Sequence, residues 1–280
     1  MRVLMTLRLA VVALLSIGFA PIASAQNPSI WAQVQQTGVL RIGLIPNRPP
    51  YQWEKGGKLI GMSITIADDL AKALEKELGR PVRIENVITS WATLILDLQS
   101  NRVDAFVGLT ATEERKKAVS MIGPLYAIPV VAVTPGSSKL GENWEDLNKP
   151  TVTVSVTTGT SDEDAARKFL PKATVRSHKA ATEAILDVLS GNSQAFITAL
   201  LIGAPLMQSN PNLGKMIILK PAYALPSGAA ARPDADGRFA AFADAWAKTY
   251  KESGRARDVV LDAVKESGFD LTRIEGGASF

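Results

Sequence analysis

Cysteine is absent from the chain and histidine occurs once, at His178. The first absence excludes disulfides, thiolate metal sites and a cysteine nucleophile. The second excludes a multi-histidine metal centre and leaves any Ser-His-Asp triad dependent on one residue. Neither sign of charge dominates. The 31 Lys and Arg residues are interspersed with 27 Asp and Glu, so the clustered basic surface that carries much nucleic-acid affinity is missing. Also missing is a membrane-spanning run: the longest apolar stretch, Leu9 to Ala20, has about 12 residues where a spanning helix needs about 20. What remains is a chain of 280 residues, 46% hydrophobic and 21% charged. That is a globular balance, at a length for one large domain or two ordinary ones.

The N-terminal segment reads as an export signal. Arg2 and Arg8 make its first residues basic, Leu9 to Ala20 is apolar but for Ser16 and Gly18, and Pro21 leads to Ala23-Ser24-Ala25. This is the order of charge, apolar stretch and small-x-small cleavage site in a secretory signal. Residues 1–25 are therefore expected to be removed, giving a soluble periplasmic chain that starts at Gln26 and is not inserted in a membrane.

Beyond Gln26 the pattern alternates between strand and helix. Leu40 to Ile45 reads as a buried strand, and Tyr51 to Trp53 and Leu59 to Met62 flank a hairpin turn, Lys55-Gly56-Gly57-Lys58. Ile66, Leu70, Ala73, Leu74 and Leu78 have helical spacing, closed by Gly79 and Pro81. Val82 to Val87 (strand), Trp91 to Ser100 (helix) and Ala105 to Leu109 (strand) follow. The alternation recurs as strands at Val152 to Val156, Ala173 to Arg176 and Gln194 to Ile197, separated by helices at Asp162 to Leu170 and Thr182 to Leu189. Leu96-Asp97-Leu98 before Ala105-Phe106 and Leu186-Asp187-Val188 before Ala195-Phe196 nearly repeat, either as a true internal repeat or because such joints look alike. Phe239, Phe242 and Trp246 mark a late amphipathic helix, and Val259, Val260 and Val264 another. The expected fold is α/β with two lobes, two crossings between them and a cleft. Lobe 1 comprises 26–128 and 222–280, and lobe 2 comprises 129–221.

Two strand-to-helix joints share one design. Thr110 with Glu113, and Thr160 with Glu163, fit capping boxes. A helix start offers unpaired N–H groups to an anion, and Arg115 adds a guanidinium suited to a carboxylate. Each box alone is common; two on facing lobes are more informative. His178 reads as a solvated turn residue, and Gly56-Gly57-Lys58 lacks phosphate-loop spacing.

The stretches LRIGLIPNRPPYQW, ADDLAKALEKELG, SWATLILDLQSNRVDA, GLTATEERKKAV, VSVTTGTSDEDAA and LPSGAAAR together resemble the periplasmic solute-binding proteins of polar amino-acid ABC importers, family 3. The resemblance runs from Val39 to about Val264 in family order. It implies two lobes that close by a hinge over a small ligand, a membrane permease as partner, a monomer, and neither cofactor, metal nor catalysis. It also implies that Arg115 grips a ligand carboxylate, with Thr110 and Gly108 beside it, and that Trp91 and Tyr51 supply aromatic cover. Thr157, Thr160 and Ser161 fall in the second-lobe loop that closes on the carboxylate. The crossings would fall near Ala127 to Val130 and Lys220 to Leu225.

The departures bear on the ligand. The acidic residue that meets an amino-acid ammonium in the family corresponds to Ala199, beside Thr198, and a second family aspartate corresponds to Ile45. An aromatic platform corresponds to Arg48. The ligand expected is therefore a small carboxylate-bearing molecule, amino-acid-like or an organic anion, and by its charge balance one without a free ammonium. Arg48 would then pair with a second anionic group while Tyr51 and Trp91 sandwich the ligand body. The alternative is a dehydratase-like enzyme on the same scaffold, for which the matched positions offer no good acid.

Overall fold

The computed structural model describes residues 29–210 and 212–269, with Leu225 described by its backbone alone; the expected signal peptide, residues 1–25, lies outside them. A short helix α1 (Ile30–Thr37) leads into β1 (Val39–Leu44). A hairpin, β2 (Trp53–Lys55) and β3 (Lys58–Ile60), turns at the paired glycines as its sequence requires and precedes α2 (Met62–Leu78). Then come β4 (Arg83–Ile88), α3 (Leu94–Gln99), β5 (Ala105–Thr110), α4 (Glu113–Ala118) and the long β6 (Ser120–Pro135). The second half runs α5 (Trp144–Leu147), β7 (Thr153–Thr157), α6 (Ser161–Phe169), β8 (Thr174–His178), α7 (Ala181–Leu189), β9 (Ala195–Ala199) and α8 (Leu200–Ser209). The chain returns through β10 (Leu213–Ile218) and β11 (Ala224–Ala231) to α9 (Arg238–Glu252) and α10 (Arg255–Glu266).

One mixed sheet orders these strands β4-β1-β5-β11-β6-β9-β7-β8, with β10 also on β6. Its two ends match: β1 lies parallel to β4 and β5, and β7 lies parallel to β8 and β9. Between them β6 belongs to both halves. Residues from Ser120 to Pro129 pair with β11, and from Val130 to Val133 with β9. The second crossing runs alongside, where Val130 N donates to the Tyr223 carbonyl at 2.9 Å. Two adjacent crossings are what a hinge between lobes needs. The strands read as strands because they are apolar throughout where both faces are covered, as in β5, and polar at the exposed margin, as in β4.

The repeated sequence stretch is a repeated structure. Arg102 and Val103 N donate to the Asp97 carbonyl, and Asn192 and Ser193 N donate to the Asp187 carbonyl. The following alanines take equivalent places, Ala105 beside Ile42 and Ala195 beside Val154. Both buried aspartates hold their loops, Asp97 accepting from Thr89 at 2.5 Å and Asp187 from Ser193 at 2.5 Å.

Several local expectations change. The α3 helix begins at Leu94, leaving Trp91 in the preceding turn. The cap of α4 is Thr112, which accepts from Arg115 N at 3.2 Å, and Thr110 instead ends β5. Thr110-x-x-Glu113 satisfies the pattern in sequence, but the helix starts at Glu113, so Thr112 is the residue in cap position. His178 is no solvated turn residue: it ends β8 with its Nε2 3.4 Å from Asp187 Oδ2, its side chain largely covered. Phe239 is fully buried, as its spacing suggested, and Phe242 and Trp246 pack partly buried against the same core.

Candidate functional site

The loop after β1 is bent back on itself. Arg48 and Gln52 exchange backbone hydrogen bonds, with Arg48 N donating to Gln52 O at 2.7 Å and Gln52 N to Arg48 O at 2.9 Å. Asn47 takes the left-handed conformation, φ 54°, which asparagine tolerates better than most residues. Gln52 Nε2 ties the loop to the Ile45 carbonyl at 2.6 Å. This frame turns Arg48 inward. Its guanidinium carbon lies 4.2 Å from the Tyr51 ring centroid, 4.7 Å from that of Trp91 and 6.0 Å from that of Phe106. Nε and Nη1 of Arg48 are buried without a hydrogen-bond partner among the described residues. Burial holds the guanidinium pKa below its ordinary value and pushes the Tyr51 phenol up to about 12. Gly108 backs this stack. Its φ of 95° favours glycine, and a Cβ there would stand 3.1 Å from the Tyr51 ring and crowd it.

Arg115 joins the two lobes. Its Nη1 donates to the Thr110 carbonyl at 3.1 Å and its Nη2 to the Gly159 carbonyl at 3.0 Å. Trp91 covers it, 5.7 Å from ring centroid to guanidinium carbon. Gly159, at φ 75°, lies against the Trp91 backbone, where a Cβ would stand 3.0 Å from the carbonyl oxygen. Arg115 is buried, and burial lowers its pKa. Among the described residues it makes no salt bridge, and its guanidinium donates to carbonyls.

On the facing side α6 starts at its cap, Thr160, whose hydroxyl accepts from Glu163 N at 3.2 Å and donates to the Thr157 carbonyl at 2.7 Å. Asp162, in the first turn, points toward the end of β9. Its Oδ2 accepts from Ala199 N at 2.8 Å and from the Thr198 hydroxyl at 3.5 Å. Burial pushes this carboxyl up to about 6, against the pull of the Ala199 N–H, Arg115, Thr198 and Arg48. Between the lobes lies a cavity of about 20 Å³, lined by Tyr51, Thr110, Ser161, Asp162, Tyr223 and Ser227 over an apolar floor of Ile128 and Val130. That is room for about one water molecule.

The residues expected from sequence converge, but in three roles. Tyr51, Thr110 and Ser161 line the cavity. Arg48, Trp91 and Arg115 form the stacked wall beside it. Gly108 backs the Tyr51 ring, Thr157, Thr160 and Thr198 lie on the facing side in the α6 cap and against Asp162, and Thr110 Oγ1 is 3.2 Å from Ser227 Oγ. Two expectations are corrected. Arg48 occupies the Tyr51 and Trp91 ring faces, so those two rings do not sandwich a free space for a ligand body, although Tyr51 also lines the cavity. The cleft also does hold an acid, Asp162. It was missed because α6 opens with three acids, Asp162, Glu163 and Asp164, a common helix-start pattern. Only the orientation of the helix tells which of them faces the cleft: Glu163 turns to Arg167 and Ser177, and Asp162 turns inward.

Comparison with known proteins agrees with this fold. The family model for bacterial extracellular solute-binding proteins, family 3, matches residues 40–268. A cyclohexadienyl dehydratase of Pseudomonas aeruginosa is 26% identical over 235 residues, 80% of this chain and 82% of that protein. The crystal structure of an ancestral amino acid-binding protein, described as a precursor of cyclohexadienyl dehydratase, is 32% identical with a TM-score of 0.69 over 84% of this chain and 99% of its own. An amino acid ABC transporter substrate-binding protein of Streptococcus pneumoniae, bound to L-arginine, is 25% identical with a TM-score of 0.70 over 84% of this chain and 98% of its own.

Proposed function

The chain belongs to the bacterial extracellular solute-binding proteins, family 3, and from that premise we propose that it is the exported, monomeric binding component of an ABC importer. It closes over a small carboxylate-bearing ligand and passes it to a membrane permease. The observation that carries the ligand class is the charge of the cleft. Arg48 and Arg115 bring two buried guanidiniums to it, neither in a salt bridge among the described residues; the carboxyls that act most on Arg115, Asp164 and Asp162, are both opposed in their ionisation by burial. A buried cation without a counter-ion is costly, and a ligand carboxylate supplies the missing charge. Arg115 is placed to hold it because it reaches both lobes at once, so a ligand that meets it favours the closed form over the open one. The hinge falls where β6 changes partner, at Pro129 and Val130, and beside Tyr223 and Ala224.

The test is a melting assay of the purified protein against a panel of mono- and dicarboxylates, amino acids and uncharged controls. A ligand at 100 times its dissociation constant adds about 2.7 kcal/mol of stability. Carboxylates are expected to raise Tm; a panel in which only uncharged or cationic compounds do so overturns the reading.

Asp162 favours a second reading, an enzyme of the dehydratase kind, since a carboxyl near pH 6 in a closed cleft suits general acid chemistry. Its inward oxygen is already engaged by Ala199 N, which favours binding. Turnover of any panel member, lost in Asp162→Asn, would support the enzyme instead.

A further inference from the structure

We infer that Arg48 is a resident guanidinium that fills the aromatic box of the cleft from within, and so sets its specificity by closing that box to a cationic group on a ligand. The inference deepens the proposed function, resting on the reading of this cleft as the ligand site.

The box has two walls, Tyr51 and Trp91, 4.2 and 4.7 Å from the guanidinium carbon, and Phe106 at 6.0 Å. Rings at these distances attract a cation through their negative faces. The Asp162 carboxyl adds a longer-range attraction. Nε and Nη1 are buried without partners, and the Arg48 side chain makes no salt bridge among the described residues. A guanidinium drawn in by hydrogen bonding would have used those donors; this one is held by ring faces and by the loop that aims it. The loop is built for the purpose, with the Asn47 turn and the Arg48–Gln52 pair fixing the point where the side chain departs. The neighbouring cavity, about 20 Å³, has room for about one water molecule, too little for a second guanidinium. A ligand cation that reaches the box therefore finds the ring faces taken and a like charge seated on them, while an anion finds an opposite charge. Removing the Arg48 side chain leaves a hole of the shape and polarity that a free guanidinium fits, because one occupies it now.

The experiment is chemical rescue. Ethylguanidinium and its neutral near-isostere N-ethylurea are titrated into the wild type, Arg48→Ala and the double variant Arg48→Ala/Tyr51→Ala, read by Tm and calorimetry. Saturable binding of ethylguanidinium to Arg48→Ala, about tenfold or more tighter than to the wild type, is expected. It should be lost in the double variant and not reproduced by ethylurea. Equal binding to wild type and Arg48→Ala, no binding to folded Arg48→Ala, or equal rescue by ethylurea overturns the inference. If Arg48→Ala does not fold alone, the two compounds are added during refolding. Recovery with ethylguanidinium only supports the assignment, and recovery with neither or both overturns it. No carboxylate enters this test, so its outcome is separable from that of the ligand panel.

Discussion

Arg115→Ala removes a buried cation that donates to carbonyls on both sides of the cleft, at Thr110 and Gly159. Truncating one partner of a buried, hydrogen-bonded charge pair costs roughly 2–5 kcal/mol, so affinity for a carboxylate ligand should fall about 30-fold or more. Calorimetry on a variant with wild-type circular dichroism checks this, and unchanged affinity would exclude Arg115 as the anchor. Asp162 makes a different prediction. Its carboxyl is pushed up to about 6 by burial, so between the unfolded value near 4 and 6 the folded chain binds the extra proton. Stability must then fall as pH rises through that window. Asp162→Asn should gain on the wild type between pH 4.5 and 7, by on the order of 2 kcal/mol. Paired melting curves measure it, and a pH-independent difference would contradict it. Arg48 and Arg115 were legible because each falls in a stretch that carries the family resemblance, LRIGLIPNRPPYQW and GLTATEERKKAV. Asp162 was not, since it is one of three acids in one helical turn.

The element that starts β5 is pinned by a buried charge cluster. Asp104 accepts from Arg41 N and Nε at 2.9 and 3.0 Å, from Arg41 Nη2 at 2.6 Å and from Arg232 Nε at 3.1 Å. Burial alone would raise this carboxyl, but the Arg41 and Arg232 bonds outweigh it and hold it below the usual range. Asp104→Ala leaves the arginines facing a vacated buried site and is expected to cost about 3–5 kcal/mol, read as a lower urea midpoint with unchanged slope. A loss under about 1 kcal/mol would show the cluster to be solvated. At this scale the sequence was informative where periodicity was strong: α2, α6, α7, α9 and the buried strands lie within a few residues of their expected places. It was silent on β6 and β11. The run Ser120 to Pro135 carries Pro124, Pro129 and Gly123, which read as breakers. The strand survives them because β11, β9 and β10 pair with it in turn. The α4 cap moved from Thr110 to Thr112 because two threonines flank one alanine and only the backbone selects between them.

For the whole molecule, the two-lobed plan followed from the recurrence of strand and helix. The joint repeat at Asp97 and Asp187 is structural, with matching backbone bonds in both halves. What the pattern could not supply is the state of the cleft: which rings are already covered, and how little space remains. The central claim is that two buried guanidiniums make this cleft a site for anions. Calorimetry with a matched pair, a dicarboxylic acid and its 2-amino analogue, tests it most directly. Tighter binding of the acid without the amino group is the predicted result. Binding of the amino acid alone would contradict the claim and point to Asp162 as the ammonium's partner.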